Sequence, residues 1–497
     1  MPLTDEVAAY DIISFNGVQA IPAFARQFGD FDPTLGRYAL PASRSSLLTS
    51  VAFVGKFLGT LSAGSCTERY GHRAGLTLLS LSTIIGAVIQ LTSKRPAQFL
   101  VGRVLVFVGI GVAENVVPTY QSELLPAAKR GFFVGSAQLF ILLGALVANG
   151  VNRFYSTFQT SQGWIIPVAV QIIAPTILLC GIAFIPPSPR WLIHKGRREE
   201  AIRVLESVRP LADVRLGRCI EEINAIEELR LHEGLEKRPW GDLFRGTNRR
   251  RTFIAMMIFM YHQSTGESFR VLTVFYIRVG LASMAFTYNI IGSAVSIAVC
   301  IGGLFLLDSF GRRPVLVVGA FFQALWLMLV GGIGSLPDPT TASKHTVVAA
   351  TILYTLSYSV SWSPFAAEVG TGALREKTMA ISSTIDSILA FVVSFTLPYL
   401  LNPPFANLQA KVAYIYGSFA ASAILYALFF VPETKGRSLE ELDELFQHKP
   451  TLPAWKFKTF HATGLGARIT ALEKGTVEPA DGLMKDYVQV HCKLISD

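Results

Sequence analysis

Charge is scarce in this chain. Only 16% of its 497 residues are Asp, Glu, Lys or Arg, while 51% are hydrophobic and the mean hydropathy is +0.43. A soluble protein of this size carries more charge than that, so the chain is expected in a lipid bilayer. Cysteine is also sparse. Cys66, Cys180, Cys219, Cys300 and Cys492 are scattered, odd in number and without CxxC or Cys/His spacing, so they read as packing residues or free thiols, and no metal is expected. There is no Walker loop to support nucleotide-driven pumping and no catalytic constellation, so neither an enzyme nor a cofactor is expected. The start, MPLTDEVAAYDIISF, is acidic where a cleavable signal would be basic. The net charge of +9 does not point to nucleic acid, because the basic residues cluster in short loops between apolar runs.

What the chain has in quantity is apolar runs of span length, about 20 residues each. Twelve can be counted, from Ala8–Phe24 to Val412–Val431, and the only long polar interruption, Lys195–Thr252, leaves six on either side. The expected class is therefore all-α and integral to the membrane, with twelve transmembrane helices in two six-helix bundles. The division is residues 1–194 for the first bundle, 195–252 for a helical linker, 253–446 for the second bundle and 447–497 for a tail. Loops holding Arg69 and Arg73, Lys129 and Arg130, Arg312 and Arg313, and Arg375 and Lys377 alternate with loops poorer in basic residues, which places them, the linker, the tail and both termini in the cytoplasm. Arg26, Arg37, Arg44, Lys94 and Arg95 lie on the other side, against that trend. At about 17 residues the first span is short. Either a short helix tilts in, or the coding sequence starts further upstream.

One element occurs twice. ERYGHRAGLTLL follows the second span and DSFGRRPVLVVG the eighth, the same place in each half, as in an internally duplicated transporter. Each sets an acid, Glu68 or Asp308, about one turn from basic residues, Arg69 and Arg73 or Arg312 and Arg313, with Gly71 or Gly311 making a tight turn. Such charges can bridge helix ends when that side is closed and release when it opens.

The stretches GSCTERYGHR, PTYQSELLPAAKRG, PPSPRWL, DSFGRRP and VPETKGRSLEEL, in this order and at these helix ends, resemble the signatures of the sugar porter family of the major facilitator superfamily. AEVGTGALREKT, with GKFLG in the second span, is most similar to fungal members. The resemblance implies a plasma-membrane carrier working by alternating access. It also implies a cytoplasmic charge network at Glu68, Arg69, Arg73, Glu123, Arg130, Arg190, Asp308, Arg312, Arg313, Glu368, Arg375 and Glu433.

A sugar site needs amides, hydroxyls and an aromatic face. Gln138, His262, Gln263, Asn289 and Trp362 meet that need, with Gln138 and Gln263 on family motif positions. An interhelical hydrogen bond or simple packing is the alternative for each. His262 and Ser268 stand where the family has Gln and Asn, and RVLTVFY, with Arg270, is short, so the solute is a hexose, a related polyol or a different metabolite. A charge at mid-span costs roughly 2.5–3.5 kcal/mol on insertion scales, which singles out Asp11, Lys56, Arg103 and Glu114. Asp11 and Arg103 resemble the family's proton-coupling pair, a static ion pair being the alternative. Lys56 lies between Gly55 and Gly59, where helices can approach closely, with Glu114 as a counter-charge.

The expected partners are thus a small polyhydroxylated solute, protons and the lipid bilayer. A non-sugar metabolite carrier is one alternative; a non-transporting sugar sensor is another, disfavoured by the short tail from His448. The linker carries a direct test of orientation. In a variant lacking the native cysteines, a cysteine replacing Gly234 should be shielded from impermeant thiol reagents in intact cells and react after permeabilisation. Labelling from outside would reverse the orientation.

Overall fold

The computed structural model describes residues 2–32, 37–124, 127–209, 214–215, 219–220, 223–224, 227, 240–266, 284–336, 340–361, 375–401, 405–433 and 446. Their helices can be grouped as twelve candidate spans. Span one is Pro2–Val18, continued beyond a turn by Pro22–Phe28; span two is Ala42–Ser50 with Ala52–Tyr70; span three is His72–Leu91; span four is Pro96–Leu124; span five is Ala127–Tyr155; span six is Gln162–Val170 with Ile173–Gly181. After the short helices Pro189–His194 and Arg198–Val208 come span seven, Gly246–Ser264; span eight, Ala285–Phe310; span nine, Arg312–Gly334; span ten, Thr341–Ser361; span eleven, Arg375–Leu401; and span twelve, Val412–Phe429. Among the described residues, eight helices are long and apolar enough to cross a bilayer by composition alone. Leu58, Leu61, Ile85, Val101, Val318, Phe321, Ile388 and Leu425 point outward, an apolar exposure that suits lipid and not water.

Two boundaries differ from expectation. The first helix begins at Pro2 and stops at Val18, where Ala8–Phe24 was expected to be continuous. Pro22 lacks an N–H and disfavours a helical residue before it, and Ile21 is accordingly extended, with φ −76° and ψ 128°. The consequence is that Asp11 lies mid-helix. Span seven begins at Gly246, so residues 246–252, counted with the linker, form its first turns.

The end of the bundle that bears the linker helices is called the linker end, and the other the opposite end. The duplicated turns both lie at the linker end with the same backbone: Gly71 has φ 85° and ψ 170°, Gly311 has φ 96° and ψ 166°. Each residue closes one helix and opens the next in a region that side chains avoid. The opposite end is sealed inside the first six spans by Phe15, Phe24, Phe28, Phe99 and Trp164, whose rings meet edge to face or tilted. Trp164 Nε1 donates to Gln27 Oε1 at 3.1 Å. A two-stranded hairpin, Asp30–Asp32 against Arg37–Ala39, covers this end. Phe286 of span eight packs into the same aromatic cluster.

The two halves meet along two helix pairs, spans two and eleven and spans five and eight. Ser46 donates to the Phe395 carbonyl, Asn149 Nδ2 to Ser293 Oγ at 3.0 Å, and Arg153 Nε to Thr287 Oγ1 at 3.1 Å. All three bonds lie toward the opposite end, which is closed.

Spans two and four cross almost backbone to backbone. A Cβ on Gly55 would stand 2.1 Å from the Val104 carbonyl oxygen, one on Gly59 2.1 Å from that of Val108, and one on Gly111 2.0 Å from that of Lys56. Gly64, on the same helix, has open space. Gly59→Val should therefore destabilise the protein by about 1–3 kcal/mol or more, seen as a lower melting temperature and a smaller monodisperse fraction in detergent. Gly64→Val should change neither by comparison, and equal loss in both variants would remove the crossing as the cause.

Candidate functional site

Glycine packing brings span two close enough to span four for a lysine to be partnered inside the bundle. The Lys56 ammonium lies 2.9 Å from Glu114 Oε1, about one turn beyond Gly111, and 3.6 Å from Asp386 Oδ2 of span eleven. Lys56 and Asp386 are buried, whereas the Glu114 side chain is 44% exposed. Asp386 also accepts from Gln263 Nε2 at 3.0 Å and lies 3.2 Å from His262 Nδ1. One carboxylate thus joins a cation of the first half to an imidazole and an amide of the second.

Span seven ends where it meets this carboxylate. Its helix stops at Ser264, and Gly266 has φ 102°. Backbone carbonyls freed inside a membrane need donors. Span ten supplies them: Tyr358 OH donates to the His262 carbonyl at 2.8 Å and Tyr354 OH to that of Thr265 at 2.9 Å. The two tyrosines hold His262 and Gln263 at the C-terminal end of this helix.

Asp11 and Arg103 are brought together within the first half. Asp11 Oδ2 and Arg103 Nη1 are 3.5 Å apart, within ionic range but beyond a good hydrogen bond. Neither atom has a hydrogen-bond partner among the described residues. The guanidinium instead lies over the Phe15 ring, 3.7 Å from its centroid, with Phe107 at 5.1 Å. Asn289 is buried on span eight and lines, with Asn149, Ser293, Ser296, Tyr288 and Thr355, a cavity of about 40 Å³ between spans one, five, eight and ten. A larger cavity, about 510 Å³, lies at the linker end among Tyr70, Arg73, Trp191, Arg197, Glu200 and Arg203, away from these groups.

The expected gate charges engage helix ends of their own half. Arg73 Nε donates to the Ile185 carbonyl at 2.6 Å, Glu123 accepts from Ser188 and lies 3.7 Å from His72 Nε2, and the Glu68 carbonyl accepts from Trp191 Nε1 at 3.3 Å. Arg69 lies over Tyr70 and Arg190 is exposed. In the second half, Arg313 donates to the Leu428 carbonyl at 2.6 Å and its backbone N–H to Glu433 Oε2 at 3.3 Å. Trp362 and Glu368, and the side chains of Arg130, Gln138, Asp308, Arg312 and Arg375, lie outside the described residues.

Asp386 was not among the sequence candidates. The signal was available, since it is an acid within an apolar run in the same way as Asp11 and Glu114. Its link to Lys56 was not, because the two lie in different halves of the chain.

Residues 3–446 match the family described as Sugar (and other) transporter. The chain is 30% identical to the major facilitator-type transporter ecdD of Aspergillus rugulosus over 88% of this chain and 84% of that protein. It is 27% identical to the high-affinity glucose transporter ght2 of Schizosaccharomyces pombe over 96% of this chain and 92% of the relative. Among solved structures, the xylose transporter XylE from E. coli in an inward open conformation superposes with a TM-score of 0.72 at 22% identity, over 89% of this chain and 98% of that one. This shared fold supports the twelve-helix reading. With a family match over nearly its whole length, the chain belongs to the sugar transporter family and is a multi-pass membrane protein of the major facilitator fold.

Proposed function

We propose that the protein carries a hexose or a related polyhydroxylated solute across a membrane by alternating access, coupled to protons. The observation that supports this most is the polar cluster at mid-span, to which both halves contribute: Lys56 and Glu114 from the first, His262, Gln263 and Asp386 from the second. A solute lying between two halves that close alternately at either end needs groups of this kind from each. Gln263, together with Asn289 on span eight and with Gln138 and Trp362 as further contacts, offers the donors and acceptors that hydroxyls require. Two names are in keeping with this solute class: glucose for the ght2 relative, and proton:xylose symporter for a structural neighbour at 23% identity.

In this reading residues 1–194 and 253–446 are the two moving bundles and 195–252 the linker between them. The linker end faces the cytoplasm and the membrane is the plasma membrane. The charges beside the Gly71 and Gly311 turns, Glu68, Arg69, Arg73 and Glu123 in one half and Asp308, Arg312, Arg313 and Glu433 in the other, pair across the halves when the linker end closes. Contacts between halves at the opposite end support reading the present arrangement as the one open toward the linker.

Asp11 is the proton carrier in this reading. A carboxylate 3.5 Å from a guanidinium that is stacked on a ring, and not hydrogen-bonded to it, can separate from it on protonation at small cost. A second reading, transport of a non-sugar metabolite, draws on the ionic character of the cluster, since an ammonium and two carboxylates exceed what a neutral sugar needs. Uptake of labelled hexoses, pentoses, polyols and organic acids in a transporter-null cell, at two external pH values, separates the readings. Uptake of organic acids alone overturns the sugar reading.

Two variants test the roles with whichever solute is taken up. Asp11→Asn should abolish accumulation against a gradient while sparing exchange, which moves no net protons; accumulation by the variant would exclude Asp11 as carrier. Loss of one neutral hydrogen bond to the solute in Gln263→Ala, about 0.5–1.5 kcal/mol, should raise the half-saturating concentration roughly 2- to 12-fold. An unchanged value would leave Gln263 as a strut for Asp386.

A further inference from the structure

The Lys56–Asp386 ion pair lies on the same helix pair that seals the opposite end. Spans two and eleven run side by side there, with Ser46 bonded to the Phe395 carbonyl at their outer part and Lys56 3.6 Å from Asp386 further in. An opening of the opposite end parts these two helices and with them the ion pair. Lys56 keeps Glu114, because both belong to the first half and their helices are locked by the glycine crossing. Asp386 keeps only partners of its own half, His262 and Gln263.

Among the described residues, the charged or titratable groups facing Asp386 are Lys56 from span two and His262 from span seven. Glu114 of span four is reached through Lys56, and Tyr358 of span ten lies against the His262 ring, 5.5 Å between centroids. An ionised carboxylate only accepts, so His262 Nδ1 carries the hydrogen toward Asp386 Oδ1, and a second proton on the ring goes to Nε2. The His262 side chain is 29% exposed, which allows exchange with water inside the bundle.

We infer that His262 and Asp386 form a second proton site, in which a proton on His262 replaces the Lys56 ammonium as the counter-charge of Asp386 whenever the opposite end opens. The exchange is balanced. Lys56 leaves as a cation; His262 Nε2 takes one proton from water on the opposite side; on closure Lys56 returns and the proton passes to water on the linker side. Coupling requires only that proton affinity differ between the two states, and the movement of one ammonium supplies that difference. By the same linkage acid favours the state with the opposite end open, because that state holds the proton more tightly. The inference rests on the alternating-access reading but not on the identity of the solute, nor on Asp11.

The test needs no sugar. Nitroxides at Ser43→Cys and Phe405→Cys, two exposed positions flanking the seam at the opposite end, would be placed on the full chain with its native cysteines replaced, in lipid nanodiscs. Their distance distribution would be read by pulsed electron resonance at about pH 5.5 and about pH 7.5, either side of an ordinary imidazole. Acid should raise the ratio of long to short distances about threefold or more. With Asp11→Asn in every sample to silence the other proton carrier, the ratio should not respond to pH in His262→Gln, in Asp386→Asn or in Lys56→Gln, each checked for monodispersity so that one misfolded variant does not remove the test. A distribution insensitive to pH in the unmutated seam, or a response that survives in His262→Gln, overturns the inference and returns proton coupling to other groups. Failure of D-glucose uptake would bear on the solute and leave this result readable.

Discussion

An ammonium at the middle of a membrane must never be left without a counter-charge, and much of this structure follows from meeting that condition at Lys56. Glu114 can reach the lysine only if span four comes close, which requires Gly55, Gly59 and Gly111 at the crossing. With the crossing in place, Glu114 falls about one turn along and completes the first pair at 2.9 Å. The second partner, Asp386, draws span eleven against span two, and the seam between the halves follows that contact outward to Ser46 and Phe395. Helix packing, ion pairing and closure of one end are thus a single arrangement.

The bundle holds a second buried ion pair on different terms. Arg103 and Asp11 both belong to the first half, and Arg103 is stacked on Phe15, whose ring adjoins the aromatic plug of Phe24, Phe28, Phe99 and Trp164. That pair can respond to its own half alone. The Lys56–Asp386 pair spans both halves and so reports their separation. A buried ion pair by itself is weak evidence of stability, and the difference in what each connects is more informative than its presence.

Much of this was legible in the sequence for reasons of period and length. Apolar runs of span length mark the passes, and the two glycines between acid and base mark turns that need positive φ, as found at Gly71 and Gly311. Gly-x-x-x-Gly around Lys56 signals a close crossing because only glycine admits it. The start of the first helix was not legible, since PLTDEV lacks the apolar character by which spans are recognised, although its residues lie in a helix. Nor was the bridge from Lys56 to Asp386, because contact between the halves depends on how whole helices pack and not on local spacing. Asp386 itself was readable as a costly charge; what it pairs with was not. Its neighbours His262 and Gln263 stood out for their hydrogen-bonding groups, while the tyrosines of span ten that hold them in place carry no local mark of that task.

The double hold on Lys56 bears on speed as well as direction. A carrier that had to pull a lone ion pair apart inside a membrane would pass through a state with two bare charges, and its turnover would be limited by that barrier. Here the ammonium sits between two carboxylates, at 2.9 Å and 3.6 Å, and the nearer one belongs to the same half of the chain. The farther carboxylate is also held by the Gln263 amide and the His262 imidazole, both of its own half. If the halves part as proposed, neither charge is stripped on the way, which lowers the electrostatic part of the barrier to reorientation.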